Sequence, residues 1–192
     1  MQNILSTSIM SFCLFACSIF GYSGVEIAPY KIITENNKYQ VRHYDNLTLV
    51  STSMPESGDE GAAFGKLFDY ISGDNKQKQD IAMTAPVFID KSRKESNYMA
   101  FVLPTKYNAK TAPLPTDKNV KLEQVSNYTV AVITFSGSLD KANIDKHKKL
   151  LQDWVKINGY TVVGNAKVAG YNPPFTIPAF RRNEVLLPIK LK

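Results

Sequence analysis

The chain has 192 residues, 23 Lys or Arg against 17 Asp or Glu for a net charge of +6, and 44% hydrophobic residues. This is the profile of one ordinary globular domain with enough apolar side chain for a sizeable core, and it excludes collagen-like, coiled-coil and disordered readings. Both cysteines, Cys13 and Cys17, fall in the first twenty residues, so a disulfide framework, a zinc finger, an iron-sulfur cluster and a cysteine nucleophile are all excluded from the folded body.

Met1 to Gly24 contains no Asp, Glu, Lys or Arg and carries an apolar run from Ile4 to Phe20, which reads as an export signal over residues 1–23. Leu14-Phe15-Ala16-Cys17 has the form of a lipobox, in which Cys17 is acylated; cleavage after Ser23 is the alternative, with small residues at Gly21 and Ser23. A retained span is disfavoured, because roughly 17 apolar residues diluted with Ser is short for a bilayer. Export also argues against nucleic acid as the partner of the dispersed lysines.

Tyr39 to Met54 alternates and is β-branched, which predicts one or two strands. From Glu60 the period changes, and Phe64, Leu67, Phe68 and Ile71 define one apolar face of a short helix stopping at Gly73. Ile81 to Ile89 is extended, with Pro86 favouring an edge or a bulge, and Tyr98 to Leu103 is a further strand. The order then repeats: a strand over Tyr128 to Phe135, Ser138 as an N-cap, and a longer helix with Ile144, Leu151, Trp154 and Val155 on its apolar face. Tyr160 to Tyr171 is extended, Asn172-Pro173-Pro174 turns, and Val185 to Ile189 closes the chain. YQVRHY pairs with YTVAVI, MTAPVF with GYNPPF, and FVLP with VLLP, so the chain reads as two β-α-β-β copies.

Two such halves can join into an α+β fold, a distorted antiparallel barrel or curved sheet with two main helices outside; either a cleft at the pseudo-twofold axis serves as a ligand site, or both sheets are fully covered and no cavity exists. The chemistry-bearing motifs are few. There is no G-x-S-x-G, H-E-x-x-H, P-loop, G-x-G-x-x-G or C-x-x-C-H. With only His43 and His147, a three-histidine metal site is excluded. His147 sits at the margin of the second helix's apolar face, as a boundary histidine would. Strict alternation puts Val41, His43 and Asp45 on one face and Arg42 and Tyr44 on the other. His43 is either a surface histidine or a neutral imidazole available to a haem iron. Arg181, Arg182 and Lys66 are solvated cations or partners for the carboxylates of an anionic ligand.

Y-Q-V-R-H-Y at Tyr39 to Tyr44, I-A-M-T-A-P-V at Ile81 to Val87, F-V-L-P at Phe101 to Pro104 and G-Y-N-P-P-F-T-I-P-A-F-R-R-N-E-V at Gly170 to Val185 resemble the SOUL haem-binding protein family, and the likeness covers a domain over residues 30–192. The resemblance implies a duplicated β-α-β-β domain and reversible, noncovalent binding of haem or another tetrapyrrole in an apolar cleft edged by basic side chains. His43 matches the histidine of the R-H-Y motif that serves as a proposed axial ligand in one animal branch, and it would meet metal only through haem iron. Arg42, Lys66, Met83, Arg181 and Arg182 complete the expected haem-contacting set. Cys17-Ser18-Ile19-Phe20-Gly21 is similar to the mature start of bacterial lipoprotein-type members, which implies a lipid-anchored protein of the bacterial envelope or, failing that, a periplasmic or secreted one. The reading is of a noncatalytic carrier or buffer of haem. Its alternatives are a hydrolase or lyase using Glu184 and Tyr171 in the same cleft, and an envelope module binding a peptide or lipid.

Overall fold

The computed structural model describes residues 24–54, 59–90 and 97–191, so the expected export signal and Cys17 lie outside the described residues. A short strand β1 (Glu26–Ile27) and an edge strand β2 (Lys31–Asn36) lead into β3 (Tyr39–Ser53), one continuous 15-residue strand. The first half continues with α1 (Glu60–Ile71), β4 (Thr84–Ala85), β5 (Val87–Asp90) and β6 (Tyr98–Val102). The second half is β7 (Val120–Phe135), α2 (Lys141–Ile157), β8 (Thr161–Val162), β9 (Lys167–Gly170) and β10 (Asn183–Lys190).

The strand order β3-β6-β5-β9-β10-β7 closes on itself because β7 also pairs with β3, giving a six-stranded antiparallel barrel. Within each half the order is the same, β3-β6-β5 and β7-β10-β9, and the halves meet at two antiparallel seams, β3 with β7 and β5 with β9. The expected duplication is therefore present in the topology. Its residue-level match fails in two places: YQVRHY opens β3 while YTVAVI closes β7, with Val41 in the outer layer and Val130 in the interior, and Asn172 to Phe175 lie in the turn beyond β9, so neither that pair nor MTAPVF and GYNPPF correspond.

Alternation on the strands sorts the core into three layers. The barrel interior takes side chains from all six strands, among them Tyr44, Leu49, Phe88, Ala100, Val132, Ala169 and Leu186, and no helix contributes to it. Outside, α1 lays Ala63, Leu67, Tyr70 and Ile71 over Val50, Met99, Phe101 and Val168, and α2 lays Leu151 and Val155 over Val41, Ile133, Val185 and Leu187. The helices thus cover two separate areas of the outer wall.

Local chemistry sets the ends of these elements. The N-cap of α2 is Asp140, whose carboxylate accepts from the Asn143 amide at 2.8 Å; Ser138, the expected cap, instead hydrogen-bonds to that same carboxylate. A carboxylate also complements the positive helix N-terminus, which a hydroxyl does less well. The first part of β7, Val120 to Asn127, was not expected as strand because its Lys, Glu and Gln face solvent. Along β3 the interior side changes from Arg42 and Tyr44 to Leu47 and Leu49. The change falls at Asp45–Asn46, opposite Asn127, which stands at φ 53° and interrupts the β3–β7 ladder between Tyr128 and Ser126.

Candidate functional site

The buried end of the barrel is held by charge. Arg42 on β3 and Glu184 on β10 are 1% and 0% exposed and pair through two hydrogen bonds, Nη1 to Oε2 at 2.8 Å and Nη2 to Oε1 at 2.9 Å. Arg182 adds Nη2 to Oε1 at 2.7 Å and Nε to Oε1 at 3.1 Å, and the Tyr171 hydroxyl donates to Oε2 at 2.9 Å. The two guanidinium groups also lie over aromatic rings, Arg42 over Tyr30 at 4.2 Å and Arg182 over Tyr171 at 4.0 Å. Burial alone would raise the carboxyl pKa of Glu184, but Arg42 and Arg182 outweigh it and hold the group below its ordinary value. Burial raises the Tyr171 hydroxyl well above its ordinary value. Glu184 is saturated with donors, so it has no lone pair left for a general base, and the hydrolase reading loses the residue it depended on.

This cluster positions the Gly170–Val185 motif. Arg182 ties one end of the turn to Glu184, and its backbone amide donates to Asn172 Oδ1 at 2.6 Å. Arg181 holds the middle by donating to the carbonyls of Thr176 at 2.8 Å and Pro174 at 2.6 Å. The Gly137 amide donates to the Pro178 carbonyl at 2.8 Å and pins the turn beside the start of α2. What the braced turn presents is apolar: Phe175, Ile177 and Phe180 are 82%, 62% and 77% exposed.

A second exposed apolar surface lies on α1. The residues it buries are Ala63, Leu67, Tyr70 and Ile71, while Phe64 and Phe68, expected on the same buried face, sit on its flank with Phe68 48% exposed. Their rings stack 6.0 Å apart at 15°, and Phe64 meets buried Phe101 edge-on at 5.1 Å. Phe101 pairs with Val87, and Val87 with Gly170, above which lies Leu139. An apolar strip therefore runs from α1 across the β5–β9 seam towards the braced turn. Met83 packs half-buried against the same cluster. The strip is exposed at its two ends, Phe64 with Phe68 and the Phe175–Phe180 turn, and exposed apolar side chains grouped in this way make it a candidate binding face.

The other expected residues are placed elsewhere. Lys66 is exposed on α1, two positions from each Phe and so round the helix from them, near Asp117. His43 is on the outer wall as alternation predicts, with Nδ1 2.9 Å from Thr129 Oγ1 and Nε2 3.3 Å from Asp45. It lies seven residues along β3 from Val50, the strand's contact with the α1 layer, a distance of roughly 23 Å at strand rise. His147 stacks on Phe135 with ring centroids 4.1 Å apart, a boundary histidine. No group of three or more His, Cys, Asp or Glu among the described residues is arranged to hold a metal ion.

The SOUL heme-binding protein family model matches residues 25–188, from β1 into β10. The chain belongs to the SOUL heme-binding protein family. Its relatives in that family include heme-binding protein 1 of Mus musculus, 28% identical over 184 residues that cover 88% of this chain and 95% of that one. Heme-binding protein 2 of Mus musculus is 31% identical over 172 residues, covering 83% and 82%. Among solved structures, the EcmrR C-terminal domain superposes with a TM-score of 0.61 at 15% identity, covering 85% of this chain and 99% of that one, a likeness of fold. Haem is flat, apolar and anionic at its edge, and the stacked Phe64 and Phe68 with the strip beside them supply a surface of the matching kind, while Glu184, Arg42 and Arg182 are occupied with one another.

Proposed function

We propose that this member of the family is a noncatalytic haem or tetrapyrrole carrier whose macrocycle lies against the α1 face and the Phe175–Phe180 turn. The observation that carries the reading is the exposed, stacked Phe64–Phe68 pair on α1 beside Phe101 of β6, in a chain whose family is defined by haem binding. Burying such rings under a flat apolar ligand removes them from water at a gain of roughly 25 cal/mol per Å². In this reading His43 is not the axial ligand, because it stands too far along β3 and both its ring nitrogens already have partners. The absence of a free buried carboxylate among the residues of the motif supports a carrier over an enzyme.

We place the carrier in the cell envelope, reached by the charge-free apolar segment at residues 1–23 and tied there by acylation of Cys17. There it buffers or delivers haem. Titration of the purified protein with hemin tests the binding step: a Soret shift saturating at micromolar protein is expected in wild type and in His43→Ala, and its loss in Phe68→Asp. Loss in His43→Ala with Phe68→Asp intact would move the macrocycle to the other wall. Intact mass of the membrane fraction tests the anchor, since Cys17→Ser abolishes an acyl adduct that wild type carries.

A further inference from the structure

The surface where β9 begins and β10 ends carries a groove to which α1 contributes no lining residue. The groove, of about 770 Å³ and so within the size range of ligand sites, lies between β7, the turn after β8 and the chain end beyond β10. Its floor is cationic. Lys167 Nζ stands 5.1 Å from the centre of the Tyr128 ring and 5.8 Å from that of Tyr98. Burial disfavours its charge, but Tyr128, Tyr98 and Asp90 offset this and raise its pKa, so it remains an ammonium. Lys190 adds a second ammonium to the lining, so the two cations outnumber the one carboxylate there, Asp90, which is buried and acts on Lys167.

The walls are of the opposite character. Val163, 60% exposed, is joined to Pro188 by its amide, which donates to that carbonyl at 2.9 Å, and it lines the groove together with Pro188 and Leu191. A cationic floor under exposed apolar walls matches a ligand with one anionic end and a hydrocarbon body, and neither a bare anion nor a neutral hydrophobe would use both. We propose that this groove is a second ligand site, separate from the α1 face, for an apolar-chain carboxylate whose head group binds Lys167 and Lys190 and whose chain lies along Val163, Pro188 and Leu191.

The site is tested on the full chain by photo-crosslinking with a decanoic acid bearing a diazirine, mapped by peptide mass spectrometry. Labelling is expected in the segments around Val163 and Leu191, with competition by decanoate but not by decanol. Lys167→Met should weaken labelling about tenfold, the loss of one charge-assisted contact. Val163→Trp, at a solvent-facing position, should block the groove without disturbing the core, so it tests the site even if Lys167→Met fails to fold. Labelling that is unchanged in Val163→Trp, that falls on α1, or that decanol competes equally would overturn the proposal. Displacement of the probe by one equivalent of hemin would overturn the separation of the two sites.

Discussion

The two halves share one topology and put their helices to different use. On α2 the outer surface is a charged one up to the exposed Ile157 at its last position, with Lys141 and Lys149 paired to Asp145 and Asp153, and the aromatic side chains near it are half-buried: Trp154 stacks on Tyr39 at 5.2 Å and packs against Tyr160. On α1 the flanking positions are Phe64 and Phe68, in the open. A duplicated scaffold needs only one apolar face for a ligand, and the second copy can be given over to solubility and closure. The seam itself is asymmetric, since β3 carries Arg42 into the interior directly beside Val130 of β7.

The strongest way to break this asymmetry is at its charged centre. Glu184→Gln leaves two guanidinium groups facing a neutral amide in a buried site, and a loss of about 3–5 kcal/mol is expected in urea unfolding. The same carboxylate makes stability pH-dependent. Its folded pKa lies below its ordinary value of 4.5, so its contribution is present above that value and is lost as pH falls through the folded one. Thermal melts from pH 7 downwards should show a drop on the acid side that Glu184→Gln lacks. Next comes the contrast between the helices: Phe68→Asp should weaken hemin binding about tenfold or more with stability within about 0.5 kcal/mol of wild type, while Lys148→Asp on α2 leaves hemin titration unchanged. The smallest effect is expected for Asp153→Ala, which removes an exposed i,i+4 pair with Lys149 and should cost no more than about 0.5 kcal/mol by urea midpoint.

Much of the fold was legible because periodicity reports burial. The change from two to 3.6 at Glu60 located α1, and strict alternation placed Arg42 and Tyr44 on the opposite wall from Val41 and His43. The partner of Arg42 was not legible, since Glu184 is 142 residues away and joins it only when β10 and β3 flank β7. A signal did exist: Glu184 is an acid at the head of the apolar run Val185 to Ile189, where a charge survives only with a partner. Phe64 and Phe68 were misplaced for a geometric reason. The apolar arc of α1 is wider than the barrel wall can cover, and a wheel drawn from sequence does not say which margin stays uncovered.

Closure of the barrel through two seams has a consequence for the halves as separate objects. Residues 39–102 alone would form a three-stranded sheet with one long edge at β3 and another at β5, both lined with unpaired amides and carbonyls and backed by apolar side chains. Such a piece can satisfy those edges only by meeting a second one like it, so a severed half is expected to be a dimer or an aggregate and never a stable monomer.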